Sequence, residues 1–320
     1  MLYFCCTLQV VRYTPDFKIF VPVIVTIGTF DGFHRGHQSL LEQMSACKQH
    51  MGLATCLLTF DPHPRNVINH DQKGVTLLTT CEEKIQLAKS YNIDILVIYP
   101  FNSAFSSWSP EYFFTTLIVN QLNARHVIMG YDHRFGKDRT GDATYIKTLA
   151  LKHQIGVETC AAVIDEGLPI SSTRIRKALE LRDLNITNRL LGYFYQLWGT
   201  VIHGMGRGHK NGYPTANIKP LELFKCLPNT GVYLVRGYWN NNFYYGMLNI
   251  GTNPTFETNA ELKIEVHFFD FNSNLYKQCI RIEFLEYIRS VQKFESSEAL
   301  YMQIRQDETV CRNKMQRYLT

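Results

Sequence analysis

Two histidines three residues apart, His34 and His37, close the segment Gly28-Thr-Phe-Asp-Gly-Phe-His-Arg-Gly-His37, in which glycines stand at 28, 32 and 36. A glycine-rich turn that leaves a strand and opens a helix lets the backbone come close to an anion, and the unpaired amides of the first helical turn offer it the positive end of a dipole. Imidazoles placed there can donate hydrogen bonds to phosphate oxygens whose charge grows during group transfer. Gly-Lys-Ser/Thr is absent, so this is not a Walker loop. A second segment, Ile170-Ser-Ser-Thr-Arg-Ile-Arg176, suits the same chemistry, since Ser172 and Thr173 can bond phosphate or cap a helix and Arg176 supplies a fixed cation. The plain alternatives are a surface histidine pair or half of a metal site for the first segment, and capping alone for the second.

The later part of the chain carries a different set. Gly199 to Asn217 holds glycines at 199, 204, 206, 208 and 212, a spacing that fits either a phosphate-covering loop using Gly206 and Gly208 or a long barrel turn. Thr215 and Asn217 alternate across Ala216, so in extended chain both side chains face one way, and such an oxygen pair suits Mg²⁺. In Lys263-Ile-Glu-Val-His-Phe-Phe-Asp-Phe271 the alternation puts Glu265 and His267 on one face of a strand. On the inward or rim face of a barrel, Glu265 can take a hydroxyl proton as a general base. An exposed strand glutamate is the alternative.

These residues need a scaffold, and the apolar pattern predicts one. Val23 to Ile27, Ala54 to Phe60 and Ile93 to Ile98 are short apolar runs, as strands buried on both faces require. Each is followed by an amphipathic segment: from Gln38, Glu82 to Ser90, and Pro110 to Gln121. Further strands are expected at Met1 to Val11, His126 to Met129 and Val157 to Val163, and helices at Thr144 to Lys152 and Thr173 to Leu181. This alternation predicts an α/β doubly wound parallel sheet with its ligand at the carboxyl ends of the strands. Beyond residue 190 strands follow one another at Leu197 to His203, Gly231 to Tyr238, Phe243 to Ile250, Leu262 to Phe269 and Ile280 to Tyr287, which predicts a small antiparallel barrel closed by a helix capped at Ser296. The texture breaks between Arg182 and Gln196, giving expected domains 1–185 and 186–320.

Composition narrows the classes. A 320-residue chain with 45% apolar residues folds, and 33 basic against 28 acidic residues leave a net charge of +5, too modest to point to nucleic acid. The nine cysteines include no Cys-x-x-Cys pair, so neither a zinc ribbon nor a disulfide framework is expected, and a reducing cytoplasm is. The apolar run Ile19 to Ile27 contains Pro22 and is far short of the ~20 residues a membrane helix needs.

Taken in order, Gly-x-Phe-Asp-Gly with His-x-Gly-His, Thr59-Phe-Asp-Pro-His-Pro64, Gly130-Tyr-Asp-His-Arg-Phe-Gly136 and Ser-Ser-Thr-x-Ile-Arg resemble the adenylyltransferase half of the prokaryotic bifunctional riboflavin kinase/FAD synthetase family. Pro214-Thr-Ala-Asn217, Gly231-Val-Tyr, Asn249-Ile-Gly-Thr-Asn-Pro-Thr-Phe256 and Ile-Glu-Val-His with Asp270-Phe-x-x-x-Leu-Tyr276 resemble its kinase half, so the likeness spans roughly residues 20 to 310. The resemblance implies a six-stranded barrel, phosphorylation of riboflavin to FMN, then AMP transfer from ATP to FMN with release of pyrophosphate. It implies Mg²⁺ as cofactor, ATP as co-substrate, and FMN and FAD as product ligands; the oxygen donors and the lack of a cysteine cluster predict no tightly held zinc. It places the nucleotide of the first half on Gly28, Phe30, Gly36, Ser172, Thr173 and Arg176, with His34 and His37 catalytic and Asp61, His63 and Asp132 lining a flavin or nucleotide pocket. In the second half Gly206 and Gly208 cover the nucleotide, Thr215 and Asn217 hold the metal and Glu265 is the base. His133, His209 and Lys277 stand where the family commonly has Phe, Arg and Gly. Two rivals remain: a single-activity nucleotidyltransferase with a sensor barrel, and a non-enzymatic flavin-binding regulator.

Overall fold

A computed structural model describes residues 8–68, 74–137, 140–203, 213–252 and 262–319, and the chain forms two compact units, Met1–Ser172 and Thr173–Thr320. In the first unit β1 (Gln9–Arg12), β2 (Val23–Ile27), β3 (Ala54–Phe60), β4 (Ile95–Tyr99), β5 (Ala124–Gly130) and β6 (Gly156–Cys160) form one sheet in the order β1-β4-β3-β2-β5-β6. Every adjacent pair is parallel. All five residues of β2 and all five of β4 are buried, which is why these strands read as unbroken apolar runs rather than alternating ones. The sequence progression reverses at β2, flanked by β3 on one side and β5 on the other. The loop leaving β2 therefore sits at the topological switch point, where ligands of open α/β sheets bind.

The crossovers are α1 (Arg35–Met51), α2 (Pro64–Ile68), α3 (Cys81–Ser90), α4 (Ser103–Ser106), α5 (Pro110–Phe113) and α6 (Ala143–Lys152). Helix α1 ends on Gly52 in the left-handed region (φ 66°), and α3 opens with a reciprocal capping box between Thr80 and Glu83. The expected helix Pro110 to Gln121 is α5 followed by an eight-residue π-helical stretch, Phe114–Gln121. The expected strand Val157 to Val163 ends at Cys160. A tiny hairpin follows, β7 (Ile164–Asp165) with β8 (Leu168–Pro169), turned by Glu166 and Gly167, both at positive φ. The first strand starts at Gln9; the expected residues 1–7 lie outside the described ones.

The second unit contains α7 (Ser172–Glu180, of which only Ser172 precedes the division), α8 (Leu184–Leu191) and the barrel. Helix α8 falls where the sequence showed only a texture break, and the 185/186 division cuts through it. Asp183 caps α8, Gly192 terminates it at φ 78°, and Leu184, Thr187, Leu190 and Leu191 are buried. Asn188 donates to the Phe284 carbonyl (3.1 Å) and accepts from the Tyr195 amide (2.8 Å), tying α8 to the barrel wall.

The barrel is closed and antiparallel: β9 (Gln196–Ile202), β10 (Ala216–Pro220), β11 (Gly231–Trp239), β12 (Asn242–Thr252), β13 (Leu262–Phe268) and β14 (Cys279–Arg289), in the order β10-β13-β12-β11-β14-β9. Tyr233, Leu248 and Val266 are paired across three strands and fully buried, filling the interior. The alternate face carries Leu234, Met247 and Leu285, which pack with Cys311 of α9 (Ser297–Met315). Among the described residues no helix is long and apolar enough to cross a membrane.

Candidate active sites

The loop after β2 is a dense local structure. Phe30, Gly32 and Phe33 all take positive φ (46°, 87° and 41°), so the chain coils back on itself before α1. The buried carboxylate of Asp31 fixes the coil by accepting from the amides of Leu78 (2.9 Å) and Thr79 (3.1 Å), while the Asp31 carbonyl accepts from the Ser172 hydroxyl (2.8 Å). His34 is the N-cap of α1, its Nδ1 accepting from the His37 amide at 3.3 Å. The two imidazoles stack with centroids 3.7 Å apart and planes 14° from parallel. A Cβ at Gly36 would lie 3.2 Å from the His34 ring, so this glycine leaves the ring its place.

The electrostatics say which protonation state that stack holds. Burial takes the His34 pKa down to about 4, and burial together with the neighbouring His34 and Lys84 charges takes His37 well below 6.5. Both rings are therefore neutral near pH 7, and His34, with Nδ1 accepting, carries its proton on Nε2 as a donor. No group among the described residues meets Nδ1 of His37, which is shut off from solvent. That nitrogen therefore keeps an unused hydrogen-bonding capacity inside the loop. Lys84 of α3 is buried as well, its pKa lowered by that burial against the pull of the Asp31 carboxylate. It supplies a positive charge near the pair that no local motif announces.

This arrangement has a pH consequence for stability. Between pH 6.5 and about 4 the unfolded chain binds a proton at position 34 and the folded chain does not. The stabilisation is fully present above pH 6.5 and is lost as pH falls toward 4, by about 3 kcal/mol for a shift of that size. Protonation also removes the acceptor that caps α1. His34→Asn keeps a capping oxygen but cannot titrate. Its melting temperature is expected to fall less than that of the wild type between pH 7 and pH 4.5, and an unchanged pH slope would show that His34 does not set it.

The other predicted residues of this unit are distributed unevenly. Phe30 is buried behind the stack, its ring centroid 5.1 Å from that of His37, and serves as a packing floor rather than an open ligand surface; a Cβ at Gly28 would meet that ring at 3.2 Å. Asp61 is exposed at the end of β3, close enough for its charge to act on Lys84. His63 is buried, with Nδ1 accepting from the Arg65 amide (3.2 Å). Asp132 lines a separate cleft of about 430 Å³ with Tyr131, His133, Arg134 and Asp142. Thr173 and Arg176 lie in α7 within the second unit.

The second site is assembled by strand pairing. Asn217 of β10 is directly opposite Glu265 of β13, Glu265 is opposite Asn249 of β12, and Asn249 is opposite Val232 of β11. Directly paired residues share a face, so these four side chains form one row across four strands. Ile264, Val266 and Phe268 turn inward, which puts the row on the outer wall of the barrel, corrected from the inward or rim face expected. Together with Thr215 the row lines a cavity of about 430 Å³ whose opposite wall is α9, through Leu300, Tyr301, Ile304 and Asp307.

Several bonds hold this cavity in shape. The carbonyl of Pro214 lies 2.8 Å from Nδ1 of His267, and the Tyr213 hydroxyl donates to Glu308 of α9 (3.1 Å), so the segment carrying Thr215 is fixed from both sides. Arg289 grips the buried Asp307 through Nε (2.8 Å) and Nη2 (2.6 Å). Asn249, Arg289 and Asp307 also line this cavity; Asn249 entered the sequence analysis only as the first residue of a motif, and the other two not at all. Gly206, Gly208 and His209 lie outside the described residues. Lys277 has φ 64°, a left-handed turn that glycine adopts freely and other residues at a cost of about 1–2 kcal/mol.

A family model described as FAD synthetase matches residues 18–174, and one described as riboflavin kinase matches residues 191–315. A bifunctional riboflavin kinase/FMN adenylyltransferase of Listeria monocytogenes is 37% identical over 287 residues, covering 89% of this chain and 90% of that one. The protein of the same name from Bacillus subtilis is 36% identical over 289 residues, again covering 89% and 90%. A crystal structure described as a macrolide-efflux protein from Streptococcus pneumoniae superposes with a TM-score of 0.87 at 31% identity, over 95% of this chain and 99% of that one.

Proposed function

The chain belongs to the bifunctional riboflavin kinase/FMN adenylyltransferase family, and on that premise we propose which of its residues carry each reaction. Riboflavin is phosphorylated by ATP to FMN, and FMN receives AMP from ATP to give FAD. The kinase step belongs to the barrel. The observation that carries this is the row Asn217–Glu265–Asn249 facing α9 across one cavity with Thr215. An alcohol is a poor nucleophile until its proton leaves, and Glu265 is the carboxylate on the cavity wall that accepts it. Val232, Met247, Phe294, Leu300 and Ile304 supply the apolar surface that a planar flavin ring needs.

Thr215 and Asn217 offer two neutral oxygens beside that carboxylate, a hard donor set that fits Mg²⁺ completed by nucleotide phosphates and water. When bound, the ion neutralises phosphate charge; the chain's own contribution is to hold the two oxygens on the same wall as the base.

The adenylyl step belongs to the loop after β2. The phosphate of FMN is already ionised near neutral pH, so the site must position it and offset developing charge rather than remove a proton. Two neutral imidazoles and a buried lysine suit that work, with Ser172 bracing the loop. The scattered cysteines, among which the described ones form no disulfide, support a cytoplasmic setting, and the net charge of +5 gives no reason to invoke nucleic acid.

The domain assignment is tested with a fragment of residues 172–320, which keeps α7 and α8 intact. Given riboflavin, ATP and Mg²⁺, it is expected to produce FMN and no FAD when the flavins are separated by chromatography. A fragment that is folded by circular dichroism yet leaves riboflavin unchanged overturns the assignment of the kinase to the barrel.

A further inference from the structure

The first unit holds a second group of chemically versatile side chains that neither reaction uses. Cys47 near the end of α1, His126 of β5 and Glu158 of β6 turn one donor atom each toward a common point, all within 4.8 Å of one another. Glu158 Oε1 lies 3.1 Å from His126 Nε2 and 3.8 Å from Cys47 Sγ. In a tetrahedral zinc site, bond lengths of about 2.0–2.3 Å put neighbouring ligand atoms roughly 3.5 Å apart, so two edges of such a tetrahedron are nearly at their final length.

The surroundings hold these donors in place. His126 pairs with Gly156, where a Cβ would lie 2.3 Å from the His126 Nδ1, so the imidazole lies across the sheet only because position 156 has no side chain. Glu158 pairs with Ile128, two residues further along both strands, and this spacing puts its carboxylate on the face that carries the ring. Gln43, one turn before Cys47, donates to Glu158 Oε2 at 2.5 Å and leaves Oε1 for the cluster. The Nε2 of His126 is buried and makes no well-aligned hydrogen bond among the described residues, although Oε1 is within reach. The Glu158 side chain is 44% exposed, which gives a cation a way in.

We propose that Cys47, His126 and Glu158 form a binding site for one divalent transition-metal ion, zinc by the chemistry of its sulfur, nitrogen and oxygen donors, with water in the fourth position. Binding displaces the thiol proton of Cys47 to solvent and requires His126 neutral, so no oxidant or other reactant enters. The site is remote from the adenylyl loop: Cys47 is ten residues, about 15 Å of helix, beyond His37. The ion would join α1 to the two strands at one edge of the sheet, and any effect on catalysis would pass through the stability of this unit. Three ligands drawn from a helix and two strands leave no spacing pattern in the sequence, which is why zinc was not expected from it.

The test uses the full chain, stripped with a chelator and kept free of ATP and Mg²⁺. Titration with Zn²⁺ is expected to reach one equivalent per chain and to raise the melting temperature. Co²⁺ in its place is expected to give the thiolate charge-transfer and intense d–d absorption of a tetrahedral site. Cys47→Ser should abolish the charge-transfer band, and Glu158→Gln should weaken Zn²⁺ binding at least tenfold, while both variants retain FMN and FAD formation. Absence of stoichiometric Zn²⁺ binding, or a Co²⁺ spectrum unchanged in Cys47→Ser, overturns the proposal.

Discussion

Replacing Glu265 by Gln is expected to lower FMN formation from riboflavin by about 10²- to 10⁴-fold while leaving the adenylylation of added FMN at the wild-type rate. The substitution keeps the volume of the side chain and its place between Asn217 and Asn249, and takes away only the capacity to accept a proton. The carboxylate stands half-buried on the outer wall of the barrel, so the substitution does not disturb the packed interior. Loss in kcat with little change in KM is the signature expected of a base. Chromatography of the flavins made from riboflavin, and separately from FMN, measures both halves in one preparation. Equal suppression of both reactions in folded protein would sink the two-site assignment and favour a single shared ATP site.

The second large effect is the converse. His37→Ala is expected to reduce FAD formation by roughly 10²- to 10³-fold, the usual cost of losing one preorganised donor to a developing oxyanion, and to let FMN accumulate from riboflavin. The stack with His34 and the packing floor of Phe30 are also disturbed, so the variant must first show a native circular dichroism spectrum. A neutral donor also predicts the pH profile. Since burial holds both free imidazoles below their ordinary pKa, FAD formation should not rise as the pH is lowered through 6.5. A rise there would mean that the cationic form is the active one.

Local features were legible and non-local ones were not. The buried strands β2 and β4 announced themselves because both their faces are fully buried, and β13 because its burial alternates. His34 and His37 were found because a helix start places i and i+3 together, which spacing alone reports. Lys84 and the Arg289–Asp307 pair were missed, and Asn249 was read only as part of a motif, because each joins a candidate site only when distant segments pair or pack. Helix α8 was a different kind of miss: Asp183, Gly192 and the apolar positions 184, 190 and 191 spell it out, but eight residues between two textures read as a boundary. The inward or rim placement of Glu265 failed because alternation separates two faces without saying which one a helix will cover. That depended on α9.

The row Val232–Asn249–Glu265–Asn217 turns strand parity into a coordinate. Each of its members owes its position to being an even number of residues from its neighbours on the same face, so the site is written as phase in four separate strands. Gaining or losing one residue inside β13 would leave a barrel able to close, yet bring Val266 or Ile264 to the place of Glu265 and send a carboxylate toward the apolar interior. A change of two residues would restore the face but carry the carboxylate about 7 Å along the strand, out of line with both asparagines. Single substitutions around the cavity therefore sample a smooth landscape, whereas length changes in these strands meet a discrete one, in which one step inverts the site and two steps misplace it.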